Sequence, residues 1–275
     1  MTAPATFAPS SLRRIAATRY VTALREGGSV PAVVEADDGA LYVAKFHGAA
    51  QGVRALVAEI IVGELARAAG LPMPALALIE IDPALGRSEP HQEIRELLLA
   101  SAGMNLAMAF LPGALGYDVA ARVPVAGAFA SAVVALDVFA ANVDRTARNP
   151  NLLWWREGLW LIDHGAALYW HHGFDGTSPA GEIAASAARP FGRAGEHVLL
   201  PFADDLPGAA ARLAEALDDA AIEHAVISVP DAWLQGSAGG AEGLRQAYRT
   251  WLRARRQALP QIIHEANRVR SAAAV

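Results

Sequence analysis

Between Asn142 and Gly165 the chain reads NVDRTARNPNLLWWREGLWLIDHG. The stretch holds Asp144, an asparagine five residues later at Asn149, a second at Asn151, two short apolar runs, and Asp163 directly after the second run. Side chains of these types can align a hydroxyl and hold a divalent cation through oxygen, which is what phosphoryl transfer asks of a protein. The Asp144 to Asn149 interval equals the step in the catalytic loop H-R-D-x-x-x-x-N. Leu152 to Trp155 and Leu159 to Ile162, joined by Arg156-Glu157-Gly158, read as a hairpin that returns Asp163 to the neighbourhood of the asparagines. Either spacing alone is common, but their linkage through a hairpin is much less so. Asn149 has the expected interval, whereas Asn151 directly precedes the LLW strand, so both stand as candidate metal ligands.

Transfer from a nucleotide also needs a cation on the phosphates. Of the 23 basic residues Lys45 is the single lysine. In a chain that otherwise uses arginine, a lone lysine points to a place where a compact ammonium is required, chance survival being the bland alternative. Val53 to Ala69 reads as a helix with apolar residues at 53, 56, 57, 60, 61 and 65. Glu59 and Glu64 on it stand about 140° apart, so only one can face a given lysine.

The elements that must position these groups follow from pattern. Arg14 to Leu24, Val30 to Ala36 and Leu41 to Phe46 read as an antiparallel meander. Its first turn carries Gly27, Gly28 and Ser29, and its last strand carries Lys45. Two turn glycines serve conformation first, and their place one strand before Val-Ala-Lys is what suggests a cover for phosphates. Gly70, Pro72 and Pro74 end the helix. Ala75 to Ile81 is a further strand, Glu93 to Ala100 a short helix, and Asn105 to Leu111 a strand that stops at Pro112-Gly113. In a kinase the backbone of Phe110 and Leu111 would hold the adenine edge; a plain core strand followed by a turn explains the same residues. Val125 to Phe139 reads as a buried helix, followed after the hairpin by helices near 181–188, 208–226 and 240–257 and another from Gln261. Arg253 to Arg256 reads as a solvated helix face.

Composition closes several routes. At 275 residues with 53% hydrophobic and 19% charged, the chain has material for a large core. The absence of cysteine excludes disulfides, thiolate metal sites and a Cys nucleophile. A net charge of -5 gives no electrostatic footprint for nucleic acid. No run reads as a membrane span and none as a signal peptide, so the chain is expected in the cytoplasm. His164, His171 and His172 lack the i, i+4 spacing of a helical transition-metal pair.

The segments VDRTARNPNLLWW and LWLIDHG resemble the HipA-like kinases and, more distantly, the phosphatidylinositol kinases with their D-R-H-x-x-N and I-D-x-G signatures. The helix with Gly70 and LPMP is similar to the aminoglycoside phosphotransferases, where a paired Glu precedes a Gly-x-Pro-x-Pro stretch, which favours Glu59 over Glu64. The resemblance covers roughly Arg14 to His172. It implies an α+β, bilobal protein-kinase-like fold: a small antiparallel β-rich N-lobe with one helix over 1–112 and a mostly helical C-lobe over 113–275; residues 1–10, small, Pro-containing and without periodicity, read as a disordered lead-in. It implies ATP and Mg²⁺ as cofactors. By it, Lys45 contacts phosphates, Glu59 pairs with Lys45, Asp144 is the catalytic Asp, and Asn149 (alternatively Asn151) and Asp163 bind metal. The acceptor it implies is Ser or Thr of a protein. A small-molecule acceptor and a nucleotide-binding pseudokinase are the alternatives, the last because Asn142 and Val143 replace His-Arg before Asp144 and His164 replaces the Phe of D-F-G. The chain is short for the extra N-terminal subdomain of full-length HipA toxins, so neither a toxin role nor an antitoxin partner is carried over.

Overall fold

The computed structural model describes residues 12–24, 30–121, 123–174 and 176–273. The turn with Gly27, Gly28 and Ser29, and the leading residues 1–10, lie outside the described residues. The chain divides into two compact units: residues 1–56 with 75–110, and residues 57–74 with 111–275. Residues 57–74 thus group with the C-terminal part, whereas the sequence-based division placed them before residue 112.

The first unit is built on β1 (Arg13–Ala23), β2 (Ala32–Ala36), β3 (Leu41–Lys45), β4 (Leu76–Ile81) and β5 (Gly103–Ala109). They pair in the order β1-β2-β3-β5-β4, and β4 returns to β1, closing a barrel. A barrel of so few strands has a narrow interior. Its lining accordingly mixes Ile15, Val34, Tyr42, Phe46 and Ile79 with Ala17, Ala32, Ala36, Ala44, Ala77 and Ala107. Strand alternation puts Tyr42 and Ala44 inward and Lys45 on the other face, opposite Leu106 of β5.

Two expectations are corrected here. The sheet is not wholly antiparallel, because β1 and β4 run parallel, Ile15 opposite Ile79. Pairing between strands so far apart in sequence leaves no local signal of the kind a hairpin turn gives. The unit also holds α2 (Gln92–Ala100), so it is not limited to one helix.

Helix α1 (Gly52–Ala68) ends as its sequence dictates. Gly70 takes φ 71°, Leu71 N–H donates to Ala66 O (2.9 Å) and Gly70 N–H to Arg67 O (3.0 Å), a Schellman cap.

The second unit contains β6 (Leu115–Gly116), α3 (Gly127–Ala140), the hairpin β7 (Leu152–Trp155) and β8 (Gly158–Leu161), then α4 (Ala180–Ala187), α5 (Leu206–Ala216), α6 (Asp219–Ile227) and α7 (Gly240–Ala273). The single helix expected at 208–226 is two, because Asp218 accepts from Ala221 N–H (2.8 Å) and starts a new helix. The break expected at Pro260 does not occur: α7 runs through it. A mid-helix proline costs a hydrogen bond and a clash. Burial of Trp251, Leu252, Leu259, Ile262, Ile263 and Ala266 along one face offsets that cost. Nor is 253–256 a solvated face throughout, since Arg255 is only 2% exposed.

Candidate active site

Helix α3 leads into the site, and its sequence requires help at the exit. Residues 130–140 are buried but for Ala132, which is half-buried. An α-helix leaves its last four carbonyls without internal donors. Here each has one. Asn142 N–H donates to Asp137 O (2.9 Å), Arg255 Nη2 to Val138 O (2.7 Å), Arg255 Nε to Phe139 O (3.0 Å) and Leu168 N–H to Ala140 O (2.8 Å). Arg255 also donates to Ala187 O and Arg189 O at the end of α4 (2.8 and 2.6 Å). These four acceptors are neutral carbonyls, and burial pushes Arg255 down to about 10. The chain turns out of α3 through Ala141, which adopts φ 52°.

Asp137, fully buried on α3, is the hub beneath the following loop. Its Oδ1 accepts from Asn142 Nδ2 (2.9 Å), and its Oδ2 from Arg145 Nε (2.5 Å) and His197 Nε2 (2.9 Å). Leu199 N–H donates to His197 Nδ1 (3.0 Å), so Nε2 carries the ring proton it gives to Asp137. Burial pushes the Asp137 pKa up, but the Arg145 charge and the His197 hydrogen bond outweigh it and hold the carboxyl well below the usual range. Arg145 reaches onward with Nη1 to Asn151 O and to Ile162 O (3.3 Å). One guanidinium thus ties α3 to both strands of the hairpin, beside Asn151 and Asp163.

The hairpin forms as its sequence indicates, Leu152 opposite Leu161 and Trp155 opposite Gly158, with Arg156 at φ 55° in the turn. Ile162 N–H donates to Asn151 O (3.1 Å), which carries the pairing one step further and sets Asp163 next to that step. Leu161 N–H is held by Pro72 O (2.8 Å). Asn151 and Asp163 both adopt left-handed backbone, φ 50° and 57°. Non-glycine residues rarely do so, and such strain collects at functional sites.

Asp144 faces this hairpin end. Its Oδ2 accepts from Asn149 Nδ2 (2.7 Å) and Asn151 Nδ2 (3.3 Å), so both candidate asparagines reach the same carboxylate. Asn149 is exposed and Asn151 buried. Glu59 on α1, 1% exposed, accepts from Gly165 N–H at Oε1 (3.0 Å), and its Oε2 lies 3.7 Å from His164 Nδ1. Glu64 is engaged elsewhere, by His224 Nε2 (3.1 Å) and Arg67 (3.4 Å). Beyond Gly165 the chain is pinned to α7, with Trp170 stacked on Trp251 (5.3 Å between rings) and His171 Nδ1 2.9 Å from Tyr248 Oη. Lys45 and Phe110 belong to the first unit, where Lys45 is 8% exposed and Phe110 N–H donates to Leu41 O (3.0 Å). Leu111 opens the second stretch of the other unit.

A family model described as HipA-like kinase matches residues 18–182, more than half of the chain. The chain belongs to the HipA-like kinases. It is therefore a kinase, with the phosphotransferase chemistry that its oxygen-rich loop suggests. Comparison with curated proteins found no match. Among solved structures it is similar to the Helicobacter pylori proinflammatory kinase CtkA, at a TM-score of 0.51 and 11% identity over 90% of this chain and 96% of that one. At that identity the likeness speaks for the fold.

The site residues read from sequence within the second unit, Asp144, Asn149, Asn151, Asp163 and Glu59, cluster around the loop and hairpin. Sequence reasoning gives no site role to Asp137, Arg145 or His197, and it places Arg255 on a solvated face. A signal existed for Asp137: a lone carboxylate within FASAVVALDVFA must find a partner if the helix is buried. No helix among the described residues is long and apolar enough to cross a membrane.

Proposed function

We propose that the kinase transfers the γ-phosphate of ATP, with Mg²⁺, to a Ser or Thr hydroxyl of a protein. The observation that carries this reading is the convergence of Asn149 and Asn151 on Asp144 at the hairpin end that presents Asp163. Asp144 aligns the acceptor hydroxyl and takes its proton. Asn149 and Asp163 hold the cation, with Asn151 the alternative ligand. These are oxygen donors suited to a hard divalent ion, and a bound Mg²⁺ supplies charge neutralisation on the phosphates. Lys45 orients the phosphates and Glu59 supports it. Because Phe110 N–H donates to Leu41 O and Leu111 O accepts from Ala114 N–H, the Phe110 carbonyl and the Leu111 N–H are the groups assigned to adenine. Gly27, Gly28 and Ser29, outside the described residues, are assigned to the phosphates on their place in the sequence one strand before Lys45. The reading carries with it a cytoplasmic location.

The test is label transfer from γ-labelled ATP to protein in the presence and absence of Mg²⁺, with Asp144→Ala as control. Incorporation lost in that variant supports the reading; ATP binding without transfer to any acceptor favours a pseudokinase, and transfer only to a metabolite favours a small-molecule kinase. Comparison of Asn149→Ala with Asn151→Ala assigns the ligand to whichever raises the Mg²⁺ requirement by about 10- to 100-fold.

A further inference from the structure

The segment that follows α4 is fastened to the loop bearing Asp144. Val198 N–H donates to Arg145 O (3.0 Å), Thr146 and His197 form an antiparallel bridge, and the His197 ring binds the same Asp137 oxygen as Arg145. Whatever positions Asp144 therefore positions the short turn Ala194–Glu196 as well.

Arg193 stands at the start of that turn, about half exposed, and its guanidinium is paired with Glu196 (Nη2 to Oε2, 2.6 Å; Nε to both oxygens, 3.2 Å). The Glu196 hydrogen bond and charge, with a further contribution from the charge of Asp144, hold Arg193 above its usual pKa. The carboxylate that engages this guanidinium is thus Glu196, three residues on, and the turn that holds the pair is tied to the loop of the proposed catalytic residue. An exposed ion pair of this kind is worth little, so exchanging one carboxylate for another on Arg193 costs little. Arg148, four residues after Asp144 on the same loop, is exposed. Arg148 on the Asp144 loop and Arg193 on the turn fastened to it are thus two exposed guanidinium groups, although the whole chain carries a net charge of -5. A guanidinium matches a carboxylate in two-point geometry, which makes it a selective receptor.

We infer that Arg193 is a specificity-determining residue for an acceptor segment with Asp or Glu beside the Ser or Thr, and that Glu196 occupies Arg193 until such a segment displaces it. Arg148 contributes a second positive charge. The inference rests on the protein-kinase reading above and names the acceptor's chemistry.

The experiment uses the full chain with Mg-ATP and three synthetic serine peptides that differ only in flanking residues: acidic, their amide counterparts, or basic. The acid-flanked peptide is expected to show about tenfold lower KM than the amide one, a preference that fades with salt. Arg193→Ala is expected to erase the difference through KM with little change in kcat, Glu196→Gln to lower the KM for the acidic peptide, and Arg193→Glu to turn the preference toward the basic peptide. Rescue of the acidic preference by Arg193→Lys in part, but not in full, would mark the two-point contact. Transfer without charge preference, or a preference untouched by Arg193→Ala and Arg193→Glu, overturns the inference and leaves the kinase reading standing. Absence of phosphate on all three peptides, alongside phosphorylation of an aminoglycoside or choline, overturns the protein-acceptor reading and the inference with it.

Discussion

Asp137 and Asp144 lie on one short length of chain in opposite surroundings. Asp137 is fully buried and takes three hydrogen bonds, from Asn142, Arg145 and His197. Asp144 sits among two side-chain amides, one of them exposed. A buried carboxylate with both oxygens committed is fixed in one geometry and can hold others to it. A carboxylate held by amides keeps freedom to exchange partners, which a group that must meet a hydroxyl requires. The contrast separates the parts that hold the loop from the parts that react.

Breaking each side of the contrast should give effects of different kind. Asp144→Ala is expected to lower kcat by about 10²- to 10⁴-fold while leaving the urea unfolding midpoint nearly unchanged. Asp137→Ala strands the buried Arg145 and should cost about 3–5 kcal/mol of stability, read from the same unfolding curve, with activity lost as a consequence. A rise in KM from Asp144→Ala accompanied by equal loss of stability would dissolve the distinction.

The pH dependence sharpens it. The folded pKa of Asp137 is depressed below the unfolded value of about 3.9, so its contribution to stability is complete above that value and is lost as pH falls through the folded pKa. The stability gap between the wild type and Asp137→Asn should therefore be constant near neutral pH and narrow below about pH 4. The smallest effect is expected from Arg255→Lys. An ammonium keeps the charge but cannot span the four carbonyls at the ends of α3 and α4, for a loss of about 1–3 kcal/mol by thermal unfolding.

Local patterns in the sequence reveal the parts whose causes are local. The hairpin at 152–161, the Gly70 stop and the strand bearing Lys45 are visible because turn chemistry and alternation announce them. The parallel pairing of β1 with β4 and the continuity of α7 through Pro260 depend on distant packing, which overrides what neighbours in sequence suggest. The left-handed turns at Asn151 and Asp163 were equally hidden, because nothing in an Asn or Asp states which backbone its surroundings will enforce. Asp144, Asn149 and Asp163 could be read as a group, whereas Arg145, adjacent to Asp144, could not. Its role depends on Asp137 in the preceding helix and on carbonyls in the hairpin.

Lys45 provides a handle of another sort. It is the one lysine of the chain, on a strand paired with β2 on one side and β5 on the other. A protease that cuts after lysine has a single target bond, Lys45 to Phe46, and both residues are buried. Digestion would yield two fragments, at a rate set by how often the barrel opens at that strand. The same side chain gives amine-directed reagents one ε-amino target, so occupancy there can be followed by mass without introducing any label or mutation.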